Sequence, residues 1–242
     1  MLSGVPQPQA LFQRGKMDRN QIKSVWLRQS IFIPIFFALL LAPAGSLNYW
    51  QAWVYGFVFA ATTTAIGIYF LKRDPRVVER RMRVGPAAER EPAQKIIMTL
   101  MLAGFVLLLV VPGCDHRWHW SSVPAWLALT ADVFVVLGLL GTAVVVRQNS
   151  YAASTITVEA GQPVISTGLY AVVRHPMYSA ALVMTAFTPL ALGSYWALLL
   201  VISIIPVLAW RLLDEERVLT RDLPGYADYC RKVRYRLIPL LW

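Results

Sequence analysis

The apolar positions of this chain fall in long unbroken runs, not in the alternation of a half-buried strand or the stripe of a surface helix. The clearest runs are Ile96 to Val111 and Val123 to Val146, the second broken only by Asp132 and a few small residues. Runs of about 20 apolar residues cross a hydrocarbon core of ~30 Å as helices. Barrel strands would alternate, so helices that satisfy their own backbone are the remaining solution. Six spans follow, at 31–47, 50–71, 96–112, 124–146, 177–192 and 196–213. The pattern predicts an all-α, polytopic helical membrane protein with about six transmembrane helices, the last two forming a C-terminal helical hairpin. The fifth span reaches only about 24 Å at ~1.5 Å per residue, a length that local thinning or partial immersion accommodates.

Three regions are expected on this pattern. Residues 1–30 read as a cytoplasmic N-terminal tail, with an interfacial helix opening near Val25. Residues 31–146 form a four-helix membrane region. Residues 147–242 contain a long loop, the helical hairpin and a polar tail. A short apolar run ending in Ala42-Pro43-Ala44 faintly imitates a signal peptide, but a polar leader precedes it and another span follows, which favours a retained hairpin. Loop 72–95, with bases and acids interspersed, reads as an amphipathic surface segment without chemistry.

Composition agrees: 57% of residues are hydrophobic and 15% charged, far from an ordinary soluble domain. The net charge of +10 invites a nucleic-acid reading. Under the six-span topology, however, every one of the 23 basic residues except Arg117 falls on one side. That is the positive-inside signature, and it places both termini and the long loop in the cytoplasm. The excess charge is then topological, with some attraction to lipid headgroups, and no nucleic-acid partner is expected. The aromatics Tyr49, Trp50, Trp53, Trp118, Trp120, Trp126, Tyr195 and Trp196 fall at the three opposite turns, where interfacial belts sit. Cys114 and Cys230 lie on opposite sides and stand in no ligand spacing. Cys114 to His119 reads as a solvated outer loop, and no metal is expected.

Candidate chemistry gathers at the ends of the hairpin. Pro176 suits the first turn of the fifth span, which sets Arg174 and His175 just before a helix N-terminus, where anions are favoured. Tyr178 follows in the same turn. At the end of the sixth span, Arg211 and Glu215 are four apart and share one helix face, with Glu216 beside them. If the two spans form a hairpin, a cation, an acid and aromatic faces return to one membrane face. Such a pocket suits a zwitterionic ligand with an anionic partner, or a phospholipid phosphate and an ordinary surface ion pair.

The stretch G-L-Y-A-V-V-R-H-P-M-Y (Gly168 to Tyr178), the apolar hairpin, then D-E-E-R-V-L, P-G-Y-A-D-Y and V-R-Y-R-L-I-P resemble the isoprenylcysteine carboxyl methyltransferase family over residues 147–242. The resemblance implies an integral membrane, S-adenosyl-L-methionine-dependent methyltransferase with a cytoplasmic cofactor pocket. It implies cofactor contacts at Gln162, Pro163, Val164, Ile165, Tyr170, His175, Pro176, Met177, Tyr178 and Glu215, with Thr155 upstream. It assigns Arg211 to the carboxylate of a lipophilic methyl acceptor such as a prenylcysteine, with Arg174 beside it. Gln162 stands where the family often has His, and Ala180 where a Gly is frequent; both preserve the local character. Three other readings stay open. A related enzyme methylating a lipid amine would use Glu215 or Glu216 as base. A sterol-reductase-like NADPH enzyme would share the tail elements Asp228-Tyr229-Cys230 and Tyr235 to Pro239. A non-catalytic lipid-binding protein would need neither cofactor.

Overall fold

A computed structural model of the chain describes residues 18–82, 84–89, 91–151, 158 and 161–242. Among the described residues there are eight α-helices and no strand. They are α1 (Arg19–Ala44), α2 (Trp50–Arg73), α3 (Pro75–Met82), α4 (Pro92–Trp118), α5 (Ala125–Gln148), α6 (Pro176–Ala191), α7 (Leu198–Asp222) and α8 (Tyr226–Lys232). Short 3-10 turns occupy Pro86–Ala88 and Gly168–Ala171.

Helices α1, α2, α4 and α5 are each long and apolar enough to cross a membrane. The remaining two expected spans form the pair α6 and α7. Helix α6 has 16 residues, and α7 carries Arg211, Asp214, Glu215 and Glu216 in its second half. Two expectations shift. Helix α1 begins at Arg19, inside the segment read as a tail, because Gln21 accepts the Asp18 backbone N–H at 2.9 Å and starts the helix early. Residues 1–17 lie outside the described ones. Helix α4 runs on through Cys114 to Trp118 and ends at His119 in a left-handed conformation, so the expected outer loop is mostly a last helical turn.

Packing depends on close backbone approach. A Cβ on Gly138 of α5 would lie 2.8 Å from the Ala180 carbonyl oxygen and the Met184 nitrogen of α6. A Cβ on Gly113 of α4 would lie 2.9 Å from the Leu40 carbonyl oxygen of α1. Small residues at such crossings are how helices associate where apolar burial alone gives no preference over lipid. Between these contacts Phe36, Leu40, Tyr55, Phe59, Leu109 and Val135 form the main core. Leu102, Val133, Leu137 and Ile202 face outward and exposed, as lipid-facing positions do. Asp132 of α5 is 5% exposed, and neither of its carboxylate oxygens has a hydrogen-bond partner.

The three turns between α1 and α2, α4 and α5, and α6 and α7 meet at one end of the bundle. Asp115 accepts hydrogen bonds there from the Ser121 backbone and hydroxyl, both at 2.7 Å, and from the Ser194 hydroxyl at 2.5 Å. The Tyr49 ring stacks on His116 at 4.2 Å. The candidate chemistry lies at the other end.

Candidate functional site

The loop after α5 is tied down by the helix it leaves. Gly168 is left-handed (φ 61°), and a Cβ there would sit 2.7 Å from the Gln148 side-chain oxygen. That same oxygen accepts the Leu169 N–H at 3.0 Å. Asn149 donates to the Tyr170 hydroxyl at 3.1 Å, and the Tyr229 hydroxyl of α8 donates to the Tyr170 carbonyl at 2.8 Å. Tyr170 is thus clamped between the start of the loop and the tail.

Pro176 opens α6 as its first residue, with His175 at the cap. The backbone N–H groups of Arg174 and His175 donate to the Tyr235 and Arg236 carbonyls, both at 2.9 Å. The Ser179 hydroxyl donates to the Leu237 carbonyl at 2.6 Å. The V-R-Y-R-L-I-P tail therefore braces the R-H-P-M-Y turn, and α7 and α8 close the other walls.

One cavity results. Its walls include Gln162, Pro163, Val164, Ile165, Tyr170, Arg174, His175, Pro176, Met177, Tyr178, Arg211 and Glu215. Thr155 lies outside the described residues. The cavity is also lined by Asn149, Tyr151, Leu219, Leu223, Tyr226 and Tyr229, none of them among the expected cofactor contacts. Tyr226 and Tyr229 belong to P-G-Y-A-D-Y, so their spacing three apart on a helix was the available signal. Nothing local marked Asn149 or Tyr151.

Two carboxylates near the cavity have different surroundings. Glu215 accepts a hydrogen bond from the Tyr178 hydroxyl at 2.5 Å. Glu216 is bound by Arg174 at 2.8 Å, Arg236 at 3.0 Å and His175 at 3.3 Å. Burial opposes its charge, but hydrogen bonds from His175 and Arg236 and the charges of His175 and Arg174 outweigh it and hold Glu216 below its ordinary value. Burial, first among several causes, raises the phenols of Tyr170, Tyr226 and Tyr229. They stay neutral and present ring faces and hydroxyls.

Both expected cations line the cavity, and each has partners that the sequence did not show. Arg174 lines the cavity, but its guanidinium is committed to Glu216 and to the Arg234 carbonyl at 3.0 Å. The reason is that the tail folds over the helix start and brings its own partners. Arg211 is 3% exposed and pairs with Glu89 at 2.8 Å, while also donating to the Gln94 side chain. Tyr178 and Glu215, the latter on the same helix face, also act on it, so a pair with Glu215 is one part of its surroundings. Loop 72–95, read as a surface segment, supplies Glu89. From α3, Arg80 donates to the Ser150 carbonyl at 2.8 Å, and Arg81 approaches the Met177 sulfur at 3.6 Å.

Residues 127–221 match the isoprenylcysteine carboxyl methyltransferase (ICMT) family. The resemblance read from the motifs is thereby shown over that segment, which runs from α5 through most of α7. No curated protein matches the chain. The ICMT match and the four apolar helices together support a membrane methyltransferase and an integral membrane protein. No group of metal-ligating side chains stands among the described residues.

The residues present fit S-adenosylmethionine. The ligand carries an amino group, a carboxylate, a sulfonium, a ribose and an adenine ring. The cavity offers the Glu215 carboxylate, the rings of Tyr170 and Tyr178, and apolar walls at Val164, Leu219 and Leu223. The buried Tyr226 hydroxyl is without a hydrogen-bond partner, as a group awaiting a polar ligand would be.

Proposed function

We propose that the protein transfers a methyl group from S-adenosylmethionine to a lipophilic acceptor, with the carboxylate of a prenylcysteine-like amphiphile as the favoured class. The observation that carries this reading is the meeting of the Gln162–Ile165 loop, the His175–Tyr178 turn, Glu215 and Arg211 around one cavity. Bound there, the cofactor would supply an electrophilic methyl on a positively charged sulfur. Glu215 is placed to take the cofactor's hydrogen-bond donors, and Tyr178 holds that carboxylate in place. Tyrosine ring faces stabilise a nearby cation by roughly 0.5–2 kcal/mol. Arg211 orients the acceptor through its planar fork, which matches a carboxylate better than an ammonium does. A carboxylate is already ionised near neutral pH, so no base is required. The work left to the protein is alignment and exclusion of water.

The lipid-amine reading needs a base, and Glu216 is a poor one: Arg174, Arg236 and His175 hold it in its charged, weakly basic form. Positive-inside asymmetry and the aromatic turns at the Asp115 end support a cytoplasmic cavity, cytoplasmic termini and six crossings including α6 and α7. Calorimetric titration of the purified protein with S-adenosylmethionine and with NADPH tests the cofactor. Binding of the first alone is expected, and no binding at millimolar S-adenosylmethionine removes the reading. Cysteine labelling tests the topology: positions 118 and 195 should react from outside, and 85 and 225 only from inside.

A further inference from the structure

The Arg211 guanidinium is held from two sides: Tyr178 hydrogen-bonds it at the cavity wall, and two further residues hold it from behind. Its Nη2 is 2.8 Å from Glu89 Oε1, with the two side chains 4% and 2% exposed. Its Nη1 donates to Gln94 Oε1, and Gln94 is 1% exposed. The Gln94 orientation is fixed by chemistry. Arginine only donates and a carboxylate only accepts, so the amide oxygen must face Arg211 and the amide nitrogen Asp214, to which it donates. Asp214 is pinned in turn by Arg217 at 2.8 Å. Arg211 lines the cavity, whereas Glu89 and Gln94 do not.

Resting on the reading of Arg211 as the acceptor anchor, we propose that Glu89 and Gln94 are positioning residues that aim the Arg211 fork into the acceptor site. A guanidinium on a long stem samples many rotamers. With its two outer nitrogens on Glu89 and Gln94, and Tyr178 bonded to it as well, the guanidinium is confined at the cavity wall. Glu89 also supplies a counter-charge, so a buried cation does not stand uncompensated before the acceptor arrives. Both residues lie outside the segment that matches the ICMT family. The loop before α4 and the start of α4 thus complete a site otherwise built after α5.

The test uses full-length protein in nanodiscs, with N-acetyl-S-farnesylcysteine as the acceptor probe. Glu89→Gln, Glu89→Asp, Gln94→Leu and Arg211→Lys are compared for acceptor KM, kcat, cofactor Kd by calorimetry, and thermal unfolding. Glu89→Gln and Gln94→Leu should each raise acceptor KM by about tenfold, within the range of close charged contacts. The cofactor Kd should stay within about twofold, and Glu89→Asp should recover most of the loss. A parallel rise of KM and cofactor Kd with a lowered unfolding temperature makes the pair structural and overturns the inference. A fall in KM overturns it too, since Glu89 would then be blocking the site. Should Glu89→Gln fail to fold, Glu89→Asp and Gln94→Leu are judged by the same criteria. If Arg211→Lys raises KM and neither Glu89→Gln nor Gln94→Leu does, this inference falls and the anchor role stands. If Arg211→Lys leaves KM unchanged while transfer persists, the anchor role falls and this inference with it. Cofactor binding by wild type without transfer to the probe removes the carboxylate reading itself.

Discussion

Where α4 turns toward α5, Asp115 is 1% exposed and accepts hydrogen bonds from a backbone N–H and two serine hydroxyls, all neutral. Where α6 and α7 meet the long loop, Glu89, Asp214, Glu215 and Glu216 share space with Arg174, Arg211, Arg217 and Arg236. Both ends keep carboxylates near lipid, where they are costly. Around Asp115 the first end is a closed hydrogen-bonded knot that joins three turns, and its one loose oxygen among the described residues, Gln51 Oε1, belongs to a side chain that sits against Gly193 and not in the cavity. The second is a web of ion pairs around a cavity, with loose ends: the Tyr226 hydroxyl and Arg174 Nε have no hydrogen-bond partner. Polar burial that is fully satisfied specifies a structure; polar burial with vacant valences beside a cavity is ready for a ligand.

The largest effect should come from breaking the closed end. Asp115→Ala leaves the Ser121 N–H and two hydroxyls without their acceptor, and should cost about 4 kcal/mol of stability. Thermal unfolding measures that loss, and the surviving folded protein should bind cofactor normally. Loss of cofactor affinity in step with folding would merge the two ends into one unit. Next comes Glu215→Ala at the open end. Cofactor affinity should fall by on the order of a hundredfold, about 2.7 kcal/mol, while the unfolding temperature moves little because Glu215 faces the cavity. A matched loss of stability would make Glu215 part of the scaffold.

The smallest effect is in pH dependence. Glu216 is held below its ordinary value of 4.5 in the folded protein. Its stabilisation is therefore complete above that value and is lost as pH falls through the lower, folded value. Through Glu216, unfolding temperature should be insensitive to pH near neutrality and drop in acid, with a shallower acid limb in Glu216→Gln. An identical limb in both proteins would assign acid sensitivity to other carboxylates.

Much of this was readable from the chain. Four of the six apolar runs became helices long and apolar enough to cross a membrane, because lipid tolerates no other pattern. The R-H-P-M-Y turn and D-E-E-R segment were visible because their residues are close in sequence and strongly typed. What stayed hidden depends on distance. Gln94 meets Arg211 across 117 positions and Asp214 across 120, and no periodicity encodes such a pairing. The same holds for Glu89, which looked like one charge among many in a solvated loop. The partners of Arg174 were hidden for a related reason: its local context is a helix start, while Glu216 and the Arg234 carbonyl come from further along the chain.

The division of labour between the two halves bears on how this protein can be cut and rebuilt. A fragment beginning at α5 carries the ICMT-matched segment yet leaves Arg211 without Glu89 and Gln94, its neighbours from the far side of α4. Transplanting that segment alone would move Arg211 without its partners Glu89 and Gln94. Co-producing residues up to α4 and from α5 onward as two chains should restore a working assembly, provided the Gly113–Leu40 and Gly138–Ala180 seams close within their own halves. Reconstitution from halves, not minimisation to one of them, is the engineering route this architecture permits.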